Sequence, residues 1–192
     1  MPYSSSKFDE IIFEVLKSIK PQSFLDIGSG AGKYGKMIKK INSKIHSIAV
    51  EISKTYIKKF KLKSIYDEVW NISALNLIKP KYYNTEFDTI MIGDVIEHLK
   101  KSDGINLLNF LIYRCKWIIL EFPYKYLQNS VNNKFFEAHI SVWSKSDFES
   151  FERTTVYNLK KQRLVVLKGY LNNSSIRDVD IIIKRHYDKK MV

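Results

Sequence analysis

Phe24-Leu25-Asp26-Ile27-Gly28-Ser29-Gly30-Ala31-Gly32 decides how this chain is read. An apolar run ends in an acidic residue and passes into three glycines at alternating positions. A buried parallel strand hands over in this way to a ligand-binding turn and then to a helix. Glycines let such a turn take positive φ and let a ligand approach where a Cβ would collide. Spacing sorts the nucleotide-type turns. A P-loop needs a glycine five residues before its Gly-Lys pair and a Ser or Thr after it. Here Gly32-Lys33 has Ile27 and Tyr34 in those places. A dinucleotide turn needs Gly-x-Gly-x-x-Gly, and Lys33 stands where its third glycine belongs.

What remains, Asp-x-Gly-x-Gly-x-Gly, resembles the first motif of the class I S-adenosylmethionine (SAM) methyltransferases. That cofactor has no pyrophosphate, so an acidic side chain is tolerated beside the turn. The resemblance implies that Asp26 lies near the sulfonium and ammonium groups, with Gly28, Ser29, Gly30 and Gly32 shaping the cradle. Ser47-Ile48-Ala49-Val50-Glu51 reads as a second strand ending in a carboxylate, about 20 residues beyond the turn, where a βαβ unit presents an acid to the ribose hydroxyls.

A third strand-like run, Phe87-Asp88-Thr89-Ile90-Met91-Ile92-Gly93-Asp94, continues into Val95-Ile96-Glu97-His98-Leu99. Its DVIEHL segment resembles a recurrent fourth motif of O-methyltransferases acting on quinones, polar metabolites and sugars. The three motifs stand in order over roughly residues 20 to 150. By the same resemblance Asp94 borders the methionine part of the cofactor. Ile52, Ile72 and Tyr34 are expected to line its apolar part, and Ser73 stands nearest to the place of the adenine-binding Asp.

Methyl transfer to a hydroxyl needs alignment, exclusion of water and removal of a proton, by a base or through a metal. His98 and His139 are the candidates, because His46 leads a strand and His186 lies near the carboxyl terminus. Glu97-His98 followed by His139 is similar to the glutamate-histidine pair and distal histidine of two groups. These are the ubiquinone-pathway O-methyltransferases and the small-RNA 3′-terminal 2′-O-methyltransferases. Both place these residues around a divalent ion; the RNA enzymes also have a Glu where this chain has Asp94. His139 is read as the base, assisted by Glu97 and His98. A divalent metal, Mg²⁺ or Mn²⁺, stays open, as does a purely structural use of these residues as cap and lid anchor.

At 192 residues the chain suits one domain, read as residues 1–192 with a lid at about 123–143. No signal-like or membrane-spanning run is present, and Cys115 is the only cysteine, which excludes an intrachain disulfide and makes the cytoplasm the default location. The net charge of +12 is spread, about half in residues 1–151 and half in the last 41. It admits RNA as a partner without demanding it.

Alternating strand and helix patterns predict an α/β Rossmann-like fold with seven strands, mostly parallel. Strands are expected at about 23–28, 46–51, 68–70, 87–93 and 117–122, with helices at 8–19, 32–41, 53–62 and 103–113. Ser144 is expected to cap a further helix, with Asp147 in its first turn. Arg163 to Tyr170 and Asp178 to Arg185 read as a closing antiparallel hairpin, and Thr154 to Leu159 as a candidate extra strand. The function expected is SAM-dependent methyl transfer to an oxygen of a small or sugar-like acceptor. RNA 2′-O-methylation and a noncatalytic SAM-binding partner are the alternatives; oligomeric state and acceptor identity are not encoded.

Overall fold

The structure is a computed structural model and describes residues 4–126, 128–130 and 135–191. Seven strands form one sheet in the order β3-β2-β1-β4-β5-β7-β6. They are β1 (Ser23–Ile27), β2 (His46–Val50), β3 (Glu68–Trp70), β4 (Phe87–Gly93), β5 (Cys115–Pro123), β6 (Tyr157–Leu159) and β7 (Gln162–Lys168). The first five pair in parallel, while β7 runs antiparallel to both β5 and β6. The helices are α1 (Asp9–Ile19), α2 (Lys33–Ile41), α3 (Lys54–Lys59), α4 (Lys101–Leu111) and α5 (Ile176–Met191).

Side chains alternate across the central strands and so divide the core into two layers. Leu25, Ile27, Ile90, Ile92, Ile118 and Leu120 meet Leu107, Leu108 and Leu111 of α4. On the opposite face Phe24, Met91, Trp117, Ile119 and Val166 meet Ile11, Ile12, Val15 and Leu16 of α1, together with Ile38 of α2. The strands are apolar on both faces, as a sheet covered on both sides requires. Strand order reverses between β1 and β4, and the carboxyl ends of these two strands are where ligands bind in open α/β sheets.

The closing hairpin differs from expectation. Its strands are β6 and β7, joined through Lys160 at φ 57°, so the partner of β7 lies before it in the chain. The Asp178–Arg185 stretch, expected as a strand, is the middle of α5. Ile181-Ile182-Ile183 carries strand propensity, yet burial follows helical spacing: Val179 and Ile183 are covered while Ile181 is exposed. α5 packs these residues against the layer that contains α1. Each such burial contributes roughly 1.5–3 kcal/mol, enough to override a modest propensity. The helix expected after Ser144 is one 3₁₀ turn, Lys145–Phe148, closed by a reciprocal capping box of Ser144 and Asp147. No described helix is long and apolar enough to cross a membrane.

Candidate active site

The glycine turn begins where β1 ends. The amides of Gly28 and Ser29 both donate to the Val50 carbonyl, at 2.8 and 3.2 Å, which ties the turn to the end of β2. Gly28 has φ 73°, and a Cβ there would sit 2.3 Å from Cγ2 of Val95. Any side chain there would have to displace Val95 and adopt a backbone that favours glycine. Beyond the turn opens a cavity of about 250 Å³ over the carboxyl ends of β1, β2 and β4.

The cavity wall brings together Gly28, Gly30, Glu51, Ile52, Ile72, Ser73, Asp94 and His98 from the sequence-based set. Glu51 is almost fully buried. Its Oε2 accepts from the Gly30 amide at 2.9 Å and its Oε1 from the Ser53 amide at 2.8 Å. Burial raises its pKa, and the Ser53 and Gly30 amides oppose the rise. Asp94 adopts φ 52° directly after β4, a left-handed turn that Asp tolerates better than most residues. Its amide donates to the Glu121 carbonyl at 2.8 Å, and its carboxylate accepts from the Ser5 amide at 2.9 Å. Burial pushes this carboxyl up as well, against the pull of that amide.

Four residues expected around the cofactor lie outside this wall, as do Glu97 and His139. Asp26 is expected at the cationic end of the cofactor, but strand alternation sends its side chain to the face covered by α2. There it accepts the Tyr66 hydroxyl, whose oxygen also accepts the Gly35 amide. Burial lifts the Asp26 pKa to about 7. It braces the turn from behind. Tyr34, expected to line the cofactor's apolar part, is buried under Gly93 and donates to Oε2 of Glu121 at 2.6 Å. Ser29 is buried within the turn, and Gly32 caps α2 against Leu62 and Ile65. Both shape the turn without lining the cavity.

Behind His98 stands a polar cluster. Glu97 is 2% exposed, and neither of its carboxylate oxygens has a hydrogen-bond partner among the described residues. Its Oε1 lies 4.0 Å from Nε2 of His98 and 3.9 Å from Nε2 of His139. Both imidazoles are oriented from their other side. Nδ1–H of His98 donates to the Ala138 carbonyl at 2.9 Å, and Nδ1–H of His139 donates to the Tyr126 carbonyl at 2.8 Å. A carbonyl only accepts, so in a neutral ring Nε2 is the nitrogen that carries no proton, and in both histidines it faces Glu97. The rings meet edge to face with centroids 4.8 Å apart. Burial, with Asp94 adding to it, holds the Glu97 carboxyl well above the usual carboxylate range. Burial lowers the His98 pKa despite the Ala138 carbonyl.

A buried carboxyl with no hydrogen-bond partner among the described residues, facing Nε2 of two imidazoles, fits a cation. One atom from each of Glu97, His98 and His139 lies within 4.8 Å of the others, within reach of one shared ion. Two imidazoles favour Mn²⁺ over the harder Mg²⁺. The carbonyls that orient both rings are the kind of outer partner that fixes a ligating histidine.

The lid segment supplies His139 and much of the roof, although Leu127 and residues 131–134 lie outside the described residues. The Ile140 and Ser141 amides both donate to the Glu97 carbonyl, at 2.8 and 3.1 Å. Trp143 is buried, its indole N–H shared between the Ile96 carbonyl and the Ser141 hydroxyl. Of the other lid aromatics, Phe136 reaches the cavity wall, whereas Phe135 is largely exposed.

Among the wall residues without a role expected from sequence, Tyr56 and Glu137 pair with each other. The Tyr56 hydroxyl donates to Oε1 of Glu137 at 2.7 Å, from α3 to the lid. Tyr56 sits in a lysine-rich helix that reads as a solvated face. Glu137 stands two residues before His139, and that proximity was its only signal.

No protein-family model and no curated protein sequence matches this chain. Solved structures do. An inferred O-methyltransferase from Nostoc punctiforme superposes with a TM-score of 0.62 at 14% identity, over 83% of this chain and 55% of that one. The N-terminal domain of EvdMO1, solved with S-adenosylhomocysteine (SAH) bound, gives 0.62 at 10% identity, over 86% and 82%. It has also been solved in the presence of SAH and D-fucose. The methyltransferase domain of bacterial CtHen1-CN gives 0.61 at 17% identity, over 84% and 98%. This chain therefore spans little more than half of the first of these and most of the other two. At such identities the likeness establishes the fold: it is that of the class I SAM-dependent methyltransferases.

Proposed function

We propose that this chain is a SAM-dependent methyltransferase that transfers a methyl group to an oxygen of a small-molecule or sugar-like acceptor. The observation that carries the reading is Glu97, a buried carboxyl with neither oxygen hydrogen-bonded among the described residues, faced by two imidazoles beside a cavity that opens on the glycine turn. Gly28, Gly30 and Glu51 hold the cofactor, with Ile52, Ile72 and Ser73 around its adenosine and Asp94 beside its methionine part. Asp26, Ser29 and Gly32 support that cradle from beneath.

Methyl transfer is an in-line displacement at the sulfonium carbon, so the chain's main work is to align the acceptor oxygen and exclude water. The lid, pinned to the Glu97 carbonyl by two amides, closes one side of the site. Glu97, His98 and His139 would hold a divalent ion, which supplies polarisation of the acceptor hydroxyl and so eases loss of its proton. His139 then serves as a member of this cluster, its Nε2 turned inward to Glu97, rather than as a free base. The fold's occurrence in a domain solved with SAH and D-fucose supports a sugar-like acceptor.

RNA is the second reading, favoured by the charge of +12 and by the likeness to the CtHen1 domain. Against it, the described cavity wall carries Glu51, Asp94 and Glu137 and no Lys or Arg, a poor lining for phosphates. Calorimetric titration with SAM and SAH, in EDTA and in Mn²⁺, tests the cofactor and the ion. Micromolar binding supports the reading; absence of both ligands from folded protein overturns it. Methyl transfer to glycans or phenols supports the small acceptor. RNA affinity that falls steeply with salt, with transfer to RNA alone, overturns it in favour of the second reading.

A further inference from the structure

We propose that the Tyr56–Glu137 hydrogen bond couples the cofactor half of the site to the Glu97/His98/His139 half, so that filling one tightens the other. The inference rests on the proposed function and concerns residues to which that reading gives no role.

A short, continuous set of contacts joins the two halves. Glu51, placed for the ribose, bonds the Ser53 amide through Oε1. Ser53 is the N-cap of α3, and its hydroxyl accepts the Tyr56 amide at 3.2 Å. Tyr56 then reaches across the cavity to Oε1 of Glu137 at 2.7 Å. Its ring meets Phe136 edge to face at 6.4 Å, so both residues on either side of the hydrogen bond are held. One residue beyond Glu137, the Ala138 carbonyl orients His98 through Nδ1, and the next residue is His139. Glu137 is itself held through its carbonyl, which accepts the Gln128 amide group at 2.7 Å.

The physical consequence follows from the length of α3. It has six residues, too short to hold its shape without its cap. Ribose hydroxyls bonded to Glu51 would steady that carboxylate and, with it, the Ser53 cap and the position of Tyr56. A steady Tyr56 fixes Glu137, and the Ala138 carbonyl and His139 follow on the same segment. The histidine pair is thereby preset toward Glu97 before an ion arrives. Coupling of this kind is reciprocal: the ion must raise cofactor affinity by the same factor. A single hydrogen bond from a phenol to a carboxylate can transmit about tenfold.

The test uses the full chain and two probes, Mn²⁺ and SAH. SAH is chosen because its thioether carries no charge, which removes direct repulsion between a sulfonium and the ion. Each probe is titrated alone and with the other saturating. In wild type, SAH is expected to tighten Mn²⁺ about tenfold, and Mn²⁺ to tighten SAH equally. Tyr56→Phe keeps the ring against Phe136 and Phe60 and is expected to bring that factor to about one. Glu137→Gln keeps an acceptor oxygen for the Tyr56 hydroxyl and is expected to retain most of it. A factor unchanged in Tyr56→Phe overturns the inference, as does independent binding of the two probes in wild type. In both cases the proposed function stands. Failure of wild type to bind either probe overturns that reading and this inference together.

Discussion

Replacing Glu97 by Met should make the metal-free protein more stable. The side chain is 2% exposed, and its oxygens find no partner among the described residues. Burial, with Asp94 adding to it, pushes its pKa well above the ordinary carboxylate range, so its charged form is disfavoured. Leaving such a group buried costs about 1–3 kcal/mol. A methionine of similar length fills the space without polar atoms to satisfy. The expected gain is about 2 kcal/mol, which for a domain of this size raises Tm by roughly 4–8 °C. Thermal melts in EDTA read this directly. Mn²⁺ should then reverse the order, because only wild type offers the complete cluster. At a hundredfold excess over Kd, binding stabilises it by about 2.7 kcal/mol. A variant less stable than wild type in EDTA would refute the argument that Glu97 is kept at the expense of the fold. Equal stabilisation of both proteins by Mn²⁺ would remove it from the ion site.

His139→Ala should lower kcat roughly 100-fold while SAH affinity in EDTA stays within about twofold; a large loss of SAH affinity would mean that the residue serves the cofactor. Asp26 gives a pH signature. Its folded pKa of about 7 lies above the ordinary 3.8, so the folded state holds a proton that the unfolded state has released, and stability falls as pH rises between those values. Asp26→Asn mimics the protonated form and should be roughly 2–4 kcal/mol more stable than wild type at pH 8, with little difference at pH 4. Urea unfolding at both pH values checks this, and a gap that does not widen with pH contradicts it. Gly28→Ala should destabilise by about 1–3 kcal/mol and weaken SAH at least tenfold, since the new Cβ meets Val95 at 2.3 Å; calorimetry that finds unchanged SAH affinity would dissociate the turn from the cofactor.

The central fold was legible because period and punctuation agreed. In β1, β2 and β4 an apolar run ends at glycine or an acid, and each expected strand lies within a residue or two of the observed one. The C-terminal third resisted for a physical reason. Ile181-Ile182-Ile183 reads as a strand from its β-branched side chains, whereas the deciding quantity is which of them meets α1. That is a tertiary fact. Asp26 shows a similar limit. The motif identifies the residue, but only the pleat shows that its carboxylate points at Tyr66 instead of the cavity. Tyr56 and Glu137 were invisible as a pair because 80 residues separate α3 from the lid, and neither position belongs to a motif.

Several departures from ordinary local rules meet at one rim. Asp94 takes a left-handed backbone although it is not glycine. Glu97 is buried with no hydrogen-bond partner among the described residues, and Glu51 and Asp94 are pushed toward protonation by burial as well. None of these features helps the chain fold. Of the other buried acids, Glu121 keeps one oxygen bonded to Tyr34 and Asp26 one bonded to Tyr66, although burial raises both pKa values to about 7. Of Glu97, Glu121 and Asp26, Glu97 alone has neither carboxyl oxygen hydrogen-bonded among the described residues. The cost of an unpaired Glu97 makes sense when a bound ligand discharges it. Under the proposed function that ligand is a cation: both imidazoles turn Nε2 toward the Glu97 carboxyl, and the cavity lined by His98 adjoins them.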